Sequence, residues 1–230
     1  MSNQAKKLYP HDPIEELVPG LWRVTGSMAL PMPRSMFVYR LHDGTLLLDS
    51  VVAMEDESMR ALEALGRPRV MVVPHPKHTM DLCFYKRRYP NILVLGERDA
   101  QARVPEVIFD NTLERGLPRF GVAAHPIRGM KLHEVVLDLS LEGGGRALLF
   151  ADLVNKNVGP KSLLTRLAGA PGDGGVARLL KLTQISDVDD ARESLLELAR
   201  LPRIALIAGC HGGVVTERCQ EWLTRAGAQL

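Results

Sequence analysis

Four side chains with the chemistry to hold a metal ion stand out: His75 and His78, Asp152, and His211. The first two lie three apart in Pro74-His75-Pro76-Lys77-His78, Asp152 follows the apolar run Ala147-Leu148-Leu149-Phe150-Ala151, and His211 sits in Gly209-Cys210-His211-Gly212-Gly213. Imidazoles and a carboxylate are the donor set of zinc and iron sites. Each candidate also follows a short β-type run, the other two being Val70-Met71-Val72-Val73 and Ile204-Ala205-Leu206-Ile207-Ala208. Runs of that kind read as buried strands. If the strands end at one edge of a sheet, residues distant in sequence converge there.

Each candidate also has a plainer reading. HxxH is a short pattern that surface histidines satisfy by chance, but a turn between a strand and a helix can aim two imidazoles at one point. A carboxylate at the end of an apolar strand needs a cation, a metal or several N–H donors, although Asp is equally a helix or turn cap. The glycines around His211 let the chain turn sharply and bring a side chain close to a ligand. Other patterns are weaker. Val158-Gly159-Pro160-Lys161-Ser162 lacks the Gly before Lys of a phosphate loop, and its Pro removes an N–H. Cys210 and His211 are adjacent on a loop, a poor geometry for an activated thiol, and Cys83 reads as core in an apolar helix.

The elements that must position these residues follow from patterning. Leu21 to Val24, Met36 to Leu41 and Thr45 to Asp49 are strand-like, and His42-Asp43-Gly44 reads as a tight hairpin turn. A helix from about Glu55 to Leu65, the strand Val70 to Val73, a helix from about Thr79 to Arg88 and the strand Ile92 to Leu95 complete a β-α-β-α-β progression. The strand theme repeats at Val122 to Ile127, Val135 to Leu139 and Ala147 to Ala151. A helix then begins near Asp187 or Asp189, either a plausible N-cap, and a last one spans about Thr216 to Ala226 with Thr216 as N-cap. The Gly- and Pro-containing stretch Asn155 to Gly175 reads as a partner-facing loop or lid.

At 230 residues and 46% hydrophobic content the chain can bury a large core, and it reads as an N-terminal arm over residues 1–17 followed by a single domain over 18–230. A formal net charge of +2 gives no bias toward nucleic acid or membrane surfaces, and the cluster Lys86-Arg87-Arg88 reads as a solvated helix face. Three cysteines without paired spacing fit a reducing, cytoplasmic setting. No run approaches the ~20 apolar residues of a membrane span.

The order of elements resembles the metallo-β-lactamase superfamily. Val18-Pro19-Gly20-Leu21-Trp22-Arg23-Val24 is similar to its opening strand, and Gly44-Thr45-Leu46-Leu47-Leu48-Asp49-Ser50 to its hairpin ending in Asp. His75 and His78 stand in the place of the HxHxDH motif, Leu148-Leu149-Phe150-Ala151-Asp152 in that of the strand ending in the metal-bridging Asp, and Gly209-Cys210-His211-Gly212 in that of the last His ligand. Two departures stand out: Lys77 occupies the second His place, and the middle ligand is missing from Arg128-Gly129-Met130-Lys131-Leu132-His133-Glu134. A histidine-poor branch of the superfamily is more similar still. Its Arg-Met-x-x-x-Arg-Leu-x-Asp-Gly strand, Leu-Gly segment and Pro-Asn-x-x-His loop match Arg34 to Gly44 with Ser35 inserted, Leu65-Gly66, and Pro74 to His78 with His75 in place of Asn.

The resemblance implies an α/β (α+β) four-layered αββα sandwich with metals between the edges of two sheets. It also implies a hydrolase of a small ester, lactone, amide or phosphoester. One divalent ion, zinc before iron or manganese, would sit among His75, His78, Asp152 and His211, acidifying water and polarising the substrate. Asp81 or Lys77 would assist as proton acceptor or oxyanion partner. The partner would be a small-molecule substrate or ligand, with no nucleic acid and no membrane, and homo-oligomer formation stays open. The alternative is a non-catalytic binding or assembly module on the same fold, with the Lys77 ammonium against Asp152 as one way of replacing the metal.

Overall fold

The computed structural model describes residues 8–27, 33–157 and 172–230. The first half forms a six-stranded sheet in chain order: β1 (Glu15–Val18), β2 (Leu21–Gly26), β3 (Arg34–Arg40), β4 (Leu46–Asp49), β5 (Pro68–Val73) and β6 (Leu93–Gly96). Pairing is antiparallel through β4 and parallel from β4 to β6. The change of direction requires crossovers, which α1 (Asp56–Leu65) and α2 (Leu82–Arg88) supply. The β3–β4 hairpin turns at Gly44 with φ 78°, and Asp43 Oδ1 accepts from the Thr45 N–H at 3.0 Å.

The short helices α3 (Arg98–Gln101) and α4 (Leu113–Gly116) lead to the second sheet. Its strands are β7 (Ala123–Pro126), β8 (Val135–Ser140), β9 (Arg146–Phe150), β12 (Ile204–Gly209) and β13 (Val214–Val215), in the spatial order β13-β12-β9-β8-β7. Between β9 and β12 lie the two-stranded ribbon β10 (Asn155–Lys156) and β11 (Gly174–Gly175), then α5 (Arg178–Gln184) and α6 (Val188–Ala199). The chain ends in α7 (Cys219–Ala228).

Alternation along the strands sends side chains to opposite faces, and both faces of both sheets are apolar. Phe37, Tyr39, Leu47, Val70 and Val72 meet Leu137, Leu139, Leu149, Leu206 and Ala208 between the sheets. On the outer face of the first sheet, Val38, Leu48 and Met71 pack under Met59, Leu62, Leu82 and Tyr85 of α1 and α2. Val136, Leu148, Phe150 and Ile207 of the second sheet pack under Leu195, Leu198, Trp222 and Leu223 of α6 and α7. The layers are therefore helix, sheet, sheet, helix, the αββα arrangement expected from the sequence. Each fully buried Leu, Val or Phe contributes about 1.5–3 kcal/mol. The one phenol between the sheets, Tyr39, donates to the Ser140 carbonyl at 2.7 Å and so crosses from one sheet to the other with its polar atom satisfied.

Several local expectations change. β1 draws Glu15 to Leu17, assigned by the sequence to the N-terminal arm, into the first sheet; residues 1–7 lie outside the described residues. α2 begins at Leu82 rather than Thr79, because residues 75–81 run as consecutive turns, with the His78 N–H on the His75 carbonyl at 2.9 Å. Cys83 is half-buried, its thiol donating to Glu106 Oε1 at 3.3 Å, and is not core. Arg88 pairs with Glu63 and Asp56, and Lys86 donates to the Ile92 carbonyl. The last helix starts at Cys219 after a left-handed Arg218, φ 50°, so Thr216 is not its N-cap. The ends of the Asn155 to Gly175 stretch form the β10–β11 ribbon, while 158–171 lie outside the described residues. Among the described residues no helix is long and apolar enough to cross a membrane.

Of the two proposed caps of α6, Asp187 is the one used: Oδ1 accepts from the N–H groups of Asp189 and Asp190, both at 3.0 Å. Asp187→Ala is expected to lower the unfolding free energy by about 1 kcal/mol, measured by urea denaturation. An unchanged midpoint would show that the cap contributes nothing.

Candidate metal centre

The first and second sheets are joined at one edge by backbone bonds. The Val135 N–H at the start of β8 donates to the Pro74 carbonyl after β5 (2.9 Å), and the Ser35 N–H on β3 donates to the Cys210 carbonyl after β12 (2.7 Å). His75 and His211 immediately follow the two carbonyl residues. Asp152 leaves the end of β9, which is hydrogen-bonded to both β8 and β12. The four residues singled out by type thus reach one place from loops whose backbones are pinned.

Asp152 is the hub, 8% exposed. Its Oδ1 lies 3.0 Å from His78 Nε2 and 3.0 Å from His211 Nε2, and its Oδ2 lies 3.5 Å from His75 Nδ1. The rings of His75 and His78, and of His78 and His211, have centroids 5.7 Å apart and stand nearly perpendicular. Donor atoms of His75, His78 and Asp152 all fall within 4.8 Å of one another, close enough to share an ion, and His211 stands at the border of that group.

Proton accounting shows what the cluster lacks. His211 Nδ1 is 2.8 Å from the Pro33 carbonyl, which only accepts, so Nδ1 carries a hydrogen. His78 Nδ1 is 2.8 Å from Ser50 Oγ, and that hydroxyl donates to Asp49 Oδ1 at 3.1 Å, so Nδ1 of His78 also carries a hydrogen. In neutral rings both Nε2 atoms then present lone pairs to an anionic oxygen. Such a convergence holds only with positive charge, as ring protons or as a cation. The third ring, His75, is 1% exposed, and its Nε2 has no hydrogen-bond partner. Its Nδ1 faces both the Lys77 N–H at 3.3 Å and the Asp152 carboxylate. This donor set fits a divalent cation.

Without an ion, the electrostatics place positive charge on the His211 ring. Burial opposes ionisation of Asp152, yet hydrogen bonds from His211 and His78 outweigh it and hold the carboxyl well below its usual range. Burial also opposes a charge on His211, and the hydrogen bond and charge of Asp152 outweigh it, raising the imidazole. For His75 burial wins, lowering it to about 4 against the pull of Asp152.

The two candidate assisting residues differ in placement. Asp81 is buried, forms an ion pair with Arg34 and accepts the Ala53 N–H at 3.0 Å. That geometry makes it a brace between the turn before α2 and the first sheet. Lys77 is exposed, and among the described residues the ion-pair partners of Asp152 are His75, His78 and His211, with no Lys77 ammonium against it.

Three further residues shape the centre. Glu134, 1% exposed and just before β8, accepts the N–H groups of Asp152 and Leu153 at 3.1 and 3.0 Å. Burial, reinforced by the Asp152 charge, pushes its carboxyl up to about 8. Asn155 Nδ2 donates to the Asp152 carbonyl at 2.8 Å, while its Oδ1 accepts the His211 N–H at 3.0 Å, tying two ligand loops together. Ser50 reaches His78 as described. The signal for Glu134 was a carboxylate directly ahead of an apolar strand; Asn155 and Ser50 carry no comparable signal.

No protein-family model matches the chain, and no curated protein sequence matches it. Solved structures do. The metallo-β-lactamase FIM-1 from Pseudomonas aeruginosa, in its mono-zinc form, superposes with a TM-score of 0.64 over 97% of each chain at 14% identity. A metallo-β-lactamase from Erythrobacter litoralis with β-mercaptoethanol in the active site gives 0.64 at 16% identity, covering 94% of this chain and 96% of that one. One from Pontibacter korlensis gives 0.59 at 14% identity over 94% and 99%. The chain has the metallo-β-lactamase fold.

Two outcomes follow from this geometry. Asp81→Asn, which leaves the buried Arg34 guanidinium uncompensated, is expected to cost roughly 3 kcal/mol in urea unfolding; a cost below about 1 kcal/mol would contradict the bracing role. In metal-free protein, the His75 ring should stay neutral until pH nears about 4 when followed by NMR, and an inflection at the ordinary histidine value would contradict its burial.

Proposed function

We propose that this protein is a metal-dependent hydrolase of a small ester, lactone, amide or phosphoester, with one divalent ion, zinc first, held by His75, His78, Asp152 and His211. The observation that carries this reading is the convergence of His78 Nε2 and His211 Nε2 on one oxygen of a buried carboxylate. The mono-zinc form of a protein of the same fold supports the choice of zinc and of a single ion. When bound, the ion supplies Lewis acidity toward a substrate oxygen and acidifies water.

The chain's own residues do the rest. His211, anchored through Nδ1 to Pro33, and His78, anchored through Nδ1 to Ser50, each present Nε2 to the centre. Asp152 supplies negative charge from a loop held by Glu134 and Asn155. Lys77, exposed and two residues from His75, would offer its ammonium to an anionic substrate group. One observation favours the second reading, a non-catalytic binding module: Asp81, the carboxylate that the resemblance offered as proton acceptor, pairs with Arg34.

Elemental analysis of protein purified without added metal, followed by zinc reconstitution, tests the first reading. Wild type is expected to hold about one zinc per chain, and His211→Ala to bind it roughly 10- to 100-fold more weakly or not at all. Loaded wild type should cleave at least one member of an ester, lactone, amide and phosphoester panel, with loss on chelation. Absence of zinc uptake overturns the metal centre; uptake without cleavage transfers the site to a binding role.

A further inference from the structure

Ser50 has an unusual backbone for its type. It lies immediately after β4 with φ 55°, in the left-handed region that non-glycine residues rarely occupy. Strain of this kind persists where the surroundings over-determine it, and it clusters at functional positions. The surroundings here are specific: the Ser50 N–H donates to the Val72 carbonyl on β5 at 3.2 Å, and the residue is 6% exposed. Its backbone is therefore held to the very strand whose end carries His75 and His78.

The hydroxyl sits among three groups, the buried Asp49, the largely buried His78 and the thiol of Cys210. Oγ lies 3.1 Å from Asp49 Oδ1 and 2.8 Å from His78 Nδ1. A hydroxyl has one hydrogen and two lone pairs. Burial pushes the Asp49 carboxyl up to about 7; when it is ionised, Ser50 donates to it and is left only an acceptor toward His78, so the ring donates from Nδ1 and keeps its lone pair on Nε2. That nitrogen faces Asp152 Oδ1 at 3.0 Å. The opposite polarity, with Ser50 as a nucleophile donating to a histidine base, would take from an ionised Asp49 the hydroxyl proton that it accepts.

We propose that Ser50 is a positioning residue of the metal centre. Its hydroxyl, fixed by the left-handed turn and by Asp49, sets the ring orientation and tautomer of His78 so that Nε2 is the ligand atom. This inference rests on the reading of the cluster as a metal centre. Partners of ligand histidines elsewhere carry a 10- to 100-fold share of metal affinity, although the turn itself would serve folding equally well with another residue.

The experiment compares wild type, Ser50→Ala and Ser50→Gly in the full chain. Zinc affinity is measured by competition with a chromophoric chelator, and melting of the metal-free proteins is followed in parallel. Glycine accepts the left-handed backbone without strain, so Ser50→Gly removes the hydroxyl while easing the turn. The expected result is zinc binding weakened roughly 10- to 100-fold in both variants, with Ser50→Gly melting close to wild type. The Nδ1 proton of His78, visible by 1H–15N correlation in zinc-loaded wild type, should disappear through exchange in both variants. Equal zinc affinity across the three proteins would overturn the role of Ser50 and leave the centre standing. Failure of wild type to take up zinc would overturn the centre itself, and the role of Ser50 with it.

Discussion

A buried carboxylate oxygen facing two imidazole nitrogens is the interaction on which the rest of the molecule's upper edge depends. Removing an ionised carboxylate from water costs several kcal/mol unless charge and hydrogen bonds compensate. Asp152 is compensated on every side: histidines face its oxygens, and the backbone that carries it is clasped by Glu134 and Asn155. The compensation is incomplete in one respect only. With neutral rings, two Nε2 lone pairs and an anionic oxygen point at the same volume, so the set calls for positive charge, as ring protons or as a cation. Burial adds to this, since electrostatic attraction strengthens where water is excluded.

The fold supplies the convergence through the join between its sheets. β5 and β8 belong to different sheets, as do β3 and β12, yet single backbone bonds tie each pair at the same edge. A side chain adjacent to such a bond has little freedom to drift, which is the case for both His75 and His211. The Arg34–Asp81 pair extends the same logic: Arg34 begins β3, Asp81 precedes α2, and their contact closes the turn that holds His75 and His78. Breaking a paired buried charge leaves its partner exposed to a large desolvation penalty, so this brace is structural before it is chemical.

The strands and the residue types of the candidate site were legible because both are local. Val70 to Val73 and Ile204 to Ala208 carry their β character in four or five residues, and a histidine or aspartate after such a run needs no distant information to be noticed. The four-layer architecture was legible through the resemblance of element order, and the described structure has that architecture. What stayed hidden depends on partners far apart in sequence. Arg34 and Asp81 are separated by 47 positions, so Asp81 looked available when it was not. Ser50 looked like an ordinary residue after a strand, because a left-handed φ leaves no mark in composition. The start of α7 slipped from Thr216 to Cys219 because Val214 and Val215 were drawn into pairing with β12, a tertiary demand that local capping preferences do not register.

The most direct measurement is anomalous diffraction at the zinc absorption edge from crystals grown with equimolar zinc. A single strong peak about 2.0–2.2 Å from nitrogens of His75, His78 and His211 and from an oxygen of Asp152 is the predicted result. A cluster that instead keeps direct histidine-to-carboxylate hydrogen bonds, with zinc absent or bound only at the surface, would contradict the existence of a metal centre in this protein.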